Sequence, residues 1–486
     1  MSNLGTTLRF LLHVNGLLLT VLAIAMAAPM LVDLGAGNPD WKVFAGCALM
    51  ILCLGGMLAL AWRGHQPPLD LRTGYLLTVS AWLVVSIAGS LPLYISSLHP
   101  AYVDAYFETI SGLTTTGSTI ISGLDNLPPG LLLWRSLLNW IGGIGIVVMA
   151  IVLLPFLRTG GMQLFLSESS DISGKPVPRV TQMAALTVAV YVGLSAACAL
   201  CYGLAGMNTF DAINHAMATL ATGGFSTKDA SIGYFNSIPI EIVSMVFMVA
   251  GALPLIWYAR LMTQPSLART EGSQIPALLV VLAIAIGVLT VWNVYENHMP
   301  PFAALRFSAF NATSILTDTG FANSDFSSWG GFAVGVFFML FLIGGCAGST
   351  SGAIKIFRWQ ILFSGLRAQL NTTISPNRVM PVRYGGRAVG EDLVASVRNF
   401  FFLYMMTLAV MSLLVMATGV DFLSSTSAVA QAMANAGPGL GAVGGPAGNF
   451  AAMPTVAKWL LSLTMVLGRL ELTTVYVLAL NSFWEF

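Results

Sequence analysis

The chain alternates between long apolar runs and shorter, more polar segments. Each long run can cross the roughly 30 Å hydrocarbon core of a bilayer as a helix. The polar segments that separate some of them have a helical pattern but are too short to span. We therefore predict ten transmembrane helices and a set of re-entrant short helices. The ten runs lie near 8–32, 43–62, 75–96, 131–157, 183–206, 238–262, 276–296, 331–363, 396–419 and 455–480.

The short segments form an internal repeat. Each opens at Asp, or at Pro in the third copy, which are favourable residues at a helix N-terminus, and each ends in a glycine-bearing turn. The turns SGLTTTG, MATLATG, SILTDTG and QAMANAG align without gaps. This alignment places Gly117, Gly223, Gly320 and Gly437 at one position. The predicted unit is helix, short helix, glycine loop, helix, present four times.

This organisation predicts an all-α polytopic membrane protein. Two N-terminal helices precede four helix–pore-helix–filter-loop–helix repeats, which we expect to form a pseudo-fourfold ring like that of a potassium channel. The predicted divisions are 1–66 (N-terminal helices), 67–160, 175–265 and 270–368 (repeats 1 to 3), 369–392 (cytoplasmic loop) and 393–486 (repeat 4).

Composition and charge support a membrane protein and fix its orientation. The chain is 56% hydrophobic and 8% charged, far from the roughly 25% charge of soluble proteins. Its net charge of +1 argues against nucleic acid as a partner. With the N-terminus in the cytoplasm, cytoplasmic segments carry fifteen basic residues and outer segments five. We interpret the first apolar run as a retained helix rather than a signal peptide.

Four re-entrant loops are typical of a cation filter. Irregular backbone at membrane depth survives only where protein buries it or where it lines a watery cavity. Helix C-termini aimed at one axis present carbonyl oxygens, which can replace the hydration shell of a monovalent cation. One such turn alone would indicate tight packing, but four aligned copies favour a filter. The predicted filter residues are Thr115, Thr116, Gly117, Ala221, Thr222, Gly223, Asp318, Thr319, Gly320, Asn435, Ala436 and Gly437.

Two acidic residues near the predicted filter have open roles. Asp318 could raise the local cation concentration, or it could be a hydrogen-bonded residue behind the filter. Glu108, one helical turn earlier in its own repeat, could support the filter in a similar way.

The stretch IGGCAGSTSGAIK, residues 343–355, interrupts an apolar run with glycine and hydroxyl residues. These residues destabilise a helix, so we predict an unwound loop below the filter and interpret it as a gate. A close-packed GxxxG surface is the alternative. Lys355 is expected to extend towards the membrane surface. The predicted gate residues are Gly345, Cys346, Ala347, Gly348, Ser349, Thr350, Ser351, Gly352 and Arg469.

Arg469 is a charge within the last span, where charges usually face a cavity or a partner. Glu471, two residues later, is expected to face another side of the helix. For Arg469, a structural ion pair is the alternative to a role in the pore.

The sequence resembles the TrkH branch of the Trk/Ktr/HKT potassium transporters across nearly its whole length. The motifs that carry the resemblance are SGLTTTGSTI, ATGGFSTKDASIGYF, LTDTGFA, GGCAGSTSGAIK, NAGPGLGAVG and LGRLELTTVYVL.

The resemblance implies potassium uptake across a bacterial inner membrane, with K⁺ as the transported ion and no organic cofactor. It also implies a homodimer with one pore per subunit and a cytosolic, TrkA-like nucleotide-binding partner ring. In relatives the arginine that matches Arg469 projects into the pore beside the glycine loop, where it would repel cations. Two departures, GSTSGAIK and the fourth turn NAGPGLG, predict an approximate ring with weaker selectivity than a symmetric channel.

The sequence favours a potassium-selective pore over two other classes of function. A membrane enzyme would need paired carboxylates, a metal cluster or an activated nucleophile, and we predict none of these, nor any metal site built from His or Cys. A secondary transporter coupled to H⁺ or Na⁺ remains the alternative, although its broken helices usually occur as a pair in inverted halves. In the cytoplasmic segment, VMPVRYGGRAV is predicted to form a hairpin that docks the regulatory ring, or else a solvated loop.

Overall fold

The fold was analysed on a computed structural model, which describes residues 2–64, 70–153, 177–263, 273–375, 377 and 380–484. Within these residues, seven helices are long and apolar enough to cross a membrane, and two bent helix pairs bring the number to nine. The shorter apolar helix Gly331–Phe341 lies within another predicted run. The seven spans are Gly5–Gly35, Trp41–Ala61, Leu71–Ile95, Pro129–Met149, Gln182–Leu204, Gln274–Tyr295 and Glu391–Met416.

A short helix lies between the two long helices of every repeat, as predicted. The first two begin before the aspartates that were expected to open them, so Asp104 and Asp211 lie in the first turn instead. The third begins at Pro301, and the fourth is capped by Asp421, whose side chain accepts from Ser424 N–H. Short helices 1 to 4 are Tyr102–Leu113, Thr209–Leu220, Pro301–Leu316 and Phe422–Ala434.

The long helix after each short helix, here called the inner helix, is broken in three repeats within the part of the chain that the structure describes. The predicted break in repeat 3 is confirmed, since helices Gly331–Phe341 and Ile356–Ile374 flank an irregular segment. Repeats 2 and 4 also break, which the sequence analysis missed: Ile238–Ala252 meets the next helix at 90° and Thr455–Arg469 meets its own at 110°. Pro254, which has no N–H to donate, lies in the first of these breaks.

Glycines let inner helices cross the C-terminal ends of the short helices. Side chains would not fit there: a Cβ at Gly142 would overlap the carbonyl of Leu113, and one at Gly468 would overlap that of Met433. In repeat 2, a Cβ at Gly251 would lie 3.0 Å from Leu220 O. Leu113, Leu220 and Met433 each lie two residues before the positive-φ residue of their loop. The inner helix therefore contacts the same point of the short helix in repeats 1, 2 and 4.

The apolar core is divided among the repeats. The largest cluster joins the N-terminal helices to repeats 1 and 4 and includes Phe44, Phe107 and Trp134. Two further clusters lie mainly within repeats 3 and 2. Many large apolar side chains on the outer helix faces are exposed, for example Leu54 and Ile284, as expected for a surface in contact with lipid.

A two-stranded antiparallel hairpin pairs Arg383–Tyr384 with Arg387–Ala388, which confirms the predicted hairpin. Gly385 and Gly386 both have positive φ, as a tight turn between two strands requires. Tyr384 packs with Phe357 and Ile361 of the helix that follows the break in repeat 3.

Several predicted repeat boundaries cannot be compared with the fold. Those at 66, 67, 160, 175, 265 and 270 lie outside the described residues. The division at 368 falls inside helix Ile356–Ile374, and the one at 392 falls inside helix Glu391–Met416. The two helices therefore extend further towards the hairpin than the sequence suggested.

Alanine substitutions at two glycines of the same helix should have different effects on stability. Gly142→Ala would force the inner helix away from Leu113 O, and overpacking of this kind costs about 1–3 kcal/mol. Gly145→Ala, the matched control, meets nothing within 4 Å and should be neutral or slightly stabilising. The measurement is the thermal unfolding temperature of each purified variant in detergent. Equal melting temperatures would contradict the close crossing.

Candidate functional site

The four loops that follow the short helices share one backbone conformation. A residue with positive φ is followed two positions later by a glycine with positive φ. Such a φ is strained for residues other than glycine, above all for a β-branched threonine. The pairs are Thr115 and Gly117, Thr222 and Gly224, Asp318 and Gly320, and Asn435 and Gly437.

The predicted register of the second loop is therefore wrong by one residue. Gly224, rather than Gly223, is equivalent to the other three loop glycines, because Gly224 has the positive φ. Hydrogen bonds agree: Gly223 N donates to Ala218 O as Thr116 N donates to Ser111 O. Asp104 and Asp211 carried the correct signal, since each lies thirteen residues before the loop glycine of its own repeat. Matching the TG pair instead misplaced the loop.

The loops contact one another in chain order and close on themselves. A Cβ at Gly117 would overlap Gly223 O, and one at Gly224 would overlap Thr319 O. A Cβ at Gly320 would meet Ala436 O at 2.5 Å, and one at Gly437 would lie 3.1 Å from Thr116 O. These contacts are consistent with the predicted ring, with neighbouring backbones too close for side chains between them. All twelve predicted filter residues lie in these loops.

Polar side chains at one equivalent position brace three of the loops. The position lies nine residues before the loop glycine, and each side chain bonds the chain just beyond its own loop. The pairs are Glu108 Oε2 with Ile120 N (2.8 Å), His215 Nε2 with Ser226 Oγ (2.9 Å), and Asn311 Nδ2 with Asn323 Oδ1 (2.8 Å).

Glu108 forms a buried ion pair with Arg135. Arg135 Nε donates to Glu108 Oε1 at 2.8 Å, and the two side chains are 1% and 0% exposed. Arg135 also donates to Ser226 O at 2.9 Å and lies 4.2 Å from the centre of the Phe225 ring. Glu108 is therefore part of a brace between loops 1 and 2. The suggested role of attracting cations is not favoured, because its charge is paired.

The central loop, residues 342–355, fills the break in the inner helix of repeat 2. Cys346 N donates to Ala252 O at 3.0 Å, and Gly348 O accepts from Leu255 N at 3.0 Å. Backbone groups freed where that helix ends are thus paired with the central loop. Because both carbonyl and amide at the break find partners, the irregular backbone is stabilised inside the protein.

The central loop also contacts the loops of repeats 2, 3 and 4. Thr350 Oγ1 donates to Leu220 O and Ser351 Oγ donates to Thr317 O, at 3.1 and 2.7 Å. Ala353 N donates to Ala434 O at 3.2 Å. The predicted gate residues Gly345, Cys346, Ala347, Gly348, Ser349, Thr350, Ser351 and Gly352 all lie in this loop.

Arg469 ties the central loop to repeat 1. Its guanidinium donates to Thr350 O at 2.7 Å and to Gly142 O at 3.3 Å. The side chain is buried, and its helix ends at this residue. The predicted proximity of Arg469 to the central loop is confirmed, and both hydrogen bonds go to backbone carbonyls rather than to a carboxylate.

A second group of charges lies where the helices resume after the breaks. Glu471 faces away from Arg469, as predicted, and pairs with Arg358 at 3.0 Å. Lys355 is partly buried and lies within electrostatic range of Glu471, so the predicted extension to the membrane surface is wrong. Lys355 and Glu471 occupy equivalent positions, each with positive φ just before a helix.

Gln274 also positions the central loop and was missed in the sequence. Its side-chain oxygen accepts from Ala347 N at 2.8 Å, and the residue is 3% exposed. The sequence signal for this contact was a glutamine at the start of a long apolar helix. Once buried there, its side-chain amide needs a hydrogen-bond partner.

Four glycine loops in successive contact, with a fifth irregular loop beside them, are the arrangement expected of a membrane transport protein. The family model TrkH, described as "Cation transport protein", matches residues 41–266 and 275–485. The chain therefore belongs to the TrkH family of cation transport proteins.

Individual relatives match over nearly their whole length. The chain is 42% identical to "Trk system potassium uptake protein TrkI" of Halomonas elongata, covering 98% of this chain and 96% of the relative. It is 37% identical to "Trk system potassium uptake protein TrkH" of Escherichia coli, covering 98% and 99%. The crystal structure of the potassium transporter TrkH from Vibrio parahaemolyticus superposes with a TM-score of 0.90, at 35% identity, covering 98% and 100%.

The buried pair between Glu108 and Arg135 should dominate the stability of loops 1 and 2. Glu108→Gln leaves the guanidinium buried without a counter-charge, which costs about 3–5 kcal/mol. The matched control, Asp125→Asn, breaks the partly exposed pair with Lys228 and should cost at most about 1 kcal/mol. Thermal unfolding of the purified variants measures both. A Glu108→Gln melting temperature close to that of Asp125→Asn would refute the brace.

Proposed function

We propose that this protein takes up potassium across the inner membrane of a bacterium, through a channel-like pore with a four-loop selectivity filter. The observation that carries the proposal is the closed sequence of contacts among the four glycine loops. Relatives over the full length of the chain are named potassium uptake proteins, which supports K⁺ as the transported ion.

In this proposal the ion is coordinated mainly by main-chain oxygens. The residue before each loop glycine presents its carbonyl close to a neighbouring loop, as Thr116, Thr319 and Ala436 do. Those carbonyls lie at C-terminal ends of the short helices, where partial negative charge favours a cation. The hydroxyls of Thr116 and Thr319 bond the hydroxyls of Thr114 and Thr317, both at 2.8 Å, which favours the main-chain carbonyls as ligands.

The central loop is the proposed gate and Arg469 its fixed positive charge. A guanidinium beside the ion path repels cations, and its bonds to Thr350 O and Gly142 O hold the loop against repeat 1. Opening would require these bonds to break. The network of bonds from the loop to repeats 2, 3 and 4 supports a loop with one well-defined closed position.

A homodimer regulated by a cytosolic, TrkA-like nucleotide-binding ring completes the proposal. The hairpin offers exposed Arg383 and Arg387 to such a partner. Tyr384, on the same hairpin, packs against Phe357, which lies two residues beyond the central loop. A partner that moves the hairpin would therefore act on the helix connected directly to the gate. In this arrangement the N-terminus is cytoplasmic.

The function is tested by uptake of radioactive rubidium into liposomes that contain the purified protein and the partner ring. A potassium gradient alone should drive uptake, and potassium should compete far better than sodium. Gly320→Ser should reduce that preference at least about tenfold, because its Cβ displaces Ala436 O. Gly330→Ser is the matched control: the same positive φ in the same repeat, but beside Trp292.

Failure of wild-type uptake under a potassium gradient would reject the channel-like mechanism. Uptake that appeared only when a proton or sodium gradient was added would instead support the coupled transporter. Equal loss of preference in both glycine variants would show that backbone strain, rather than the filter contact, caused the change.

Arg469→Ala should increase flux in the absence of the partner ring. The substitution removes both the positive charge and two bonds to the central loop, so about a tenfold rise is expected from bonds to a charged group. Lys458→Ala, in the same helix, breaks only the pair with Asp104 and serves as control. The measurement is rubidium efflux from preloaded liposomes. Unchanged or lower efflux in Arg469→Ala would contradict its role as a barrier.

A further inference from the structure

The left-handed position of the four loops carries threonine in repeats 1 and 2, aspartate in repeat 3 and asparagine in repeat 4. Thr115, Thr222 and Asn435 are neutral, whereas Asp318 bears a carboxylate. All four have φ between 49° and 61°, so the backbone is the same. The charge of Asp318 is therefore a feature of repeat 3 alone among these equivalent positions, and the central loop belongs to that same repeat.

The Asp318 carboxylate faces the central loop. A Cβ at Gly344 would lie 3.1 Å from Asp318 Oδ2. The backbone amides of Gly345 and Gly352 both face this carboxylate. These two residues lie near opposite ends of the central loop, so the Asp318 side chain approaches the loop close to both of its ends.

The carboxylate is buried and has positively charged neighbours. Asp318 is 0% exposed, and neither of its carboxylate oxygens has a hydrogen-bond partner among the described residues. Lys355 and Arg469 both lie within electrostatic range. Arg469 holds Thr350 O from the repeat 1 side, while Asp318 faces the loop from the side of repeat 3. The central loop is thus held between a carboxylate and a guanidinium.

A neighbouring bond fixes the same contact. Ser351 Oγ donates to Thr317 O at 2.7 Å, so the residue before Asp318 is also joined to the central loop. The turn that contributes Thr319 and Gly320 to the ring is consequently bonded to the proposed gate at Thr317 and approaches it closely at Asp318.

We propose that Asp318 is a positioning residue that holds the central loop closed, and that it is not a ligand of the transported ion. The proposal rests on the gate function proposed above. It resolves the two roles that the sequence left open for this residue in favour of the one behind the filter. It also adds a carboxylate from repeat 3 to the contacts between filter and gate, beside the bond from Thr222 Oγ1 to Thr350 Oγ1 in repeat 2.

The test is Asp318→Asn, which conserves shape and introduces the residue that repeat 4 uses at the same left-handed position. Basal rubidium efflux without the partner ring should rise at least about fivefold, because the central loop loses its electrostatic attraction to a buried carboxylate. The preference for potassium over sodium should stay within about twofold of wild type. Asp325→Asn, the control, removes a carboxylate from an exposed cap in the same repeat and should leave both quantities unchanged.

Loss of ion preference in Asp318→Asn with unchanged basal efflux would overturn the proposal and make Asp318 a filter ligand. No change in either quantity would also overturn it. A second variant, Ser351→Ala, removes only the bond to Thr317 O and should raise basal efflux in the same direction. Normal melting temperatures verify that the variants fold. If wild type itself carries no rubidium with the partner present, the proposed function fails rather than this inference.

Discussion

Unpaired backbone groups within the membrane are the constraint on which this structure depends. Four short helices end inside the protein, and three inner helices break there, so many amides and carbonyls lack helical partners. The central loop satisfies several of them together, from Ala252 and Leu255 in repeat 2 to Ala434 in repeat 4. An unsatisfied group in this setting costs several kcal/mol. The loop is therefore both an irregular element and the partner that permits other irregular elements.

The carbonyls proposed as ion ligands differ from those that bond the central loop. The proposed ligands belong to the residues before each loop glycine, whereas the central loop bonds carbonyls at helix ends such as Leu220 and Thr317. Bonding at the helix ends fixes the positions of the loops while their own carbonyls stay available. Packing glycines such as Gly142 bring the inner helices close enough to make this arrangement compact.

Much of the fold could be predicted from the sequence because its signals are local. Apolar runs, opening Asp and Pro residues and the GG turn of the hairpin indicate structure through their immediate neighbours. The breaks after Ala252 and Arg469 were missed because those runs are mostly apolar on both sides of the break, and only Pro254 and the pair Gly468 and Arg469 hinted at them.

The candidate site was only partly predictable, since its contacts join residues far apart in the chain. The pair of Glu108 with Arg135 and the bond from Gln274 to Ala347 have no signature in spacing. The register of loop 2 depended on a φ angle, and two adjacent glycines made either choice plausible by composition. The resemblance to a family covered the whole chain but could not decide between Gly223 and Gly224.

The fusion of all four loops into one polypeptide has a consequence for how such a ring can diversify. In an assembly of four identical subunits, every substitution appears four times around the axis, and a carboxylate placed beside the ion path would be a cluster of four. Here a single residue, such as Asp318, changes one quadrant and leaves three as they were. One quadrant can therefore acquire a hinge or a charge while the others preserve the shared backbone geometry. Because one gene encodes all four loops, each difference between quadrants is inherited with the chain.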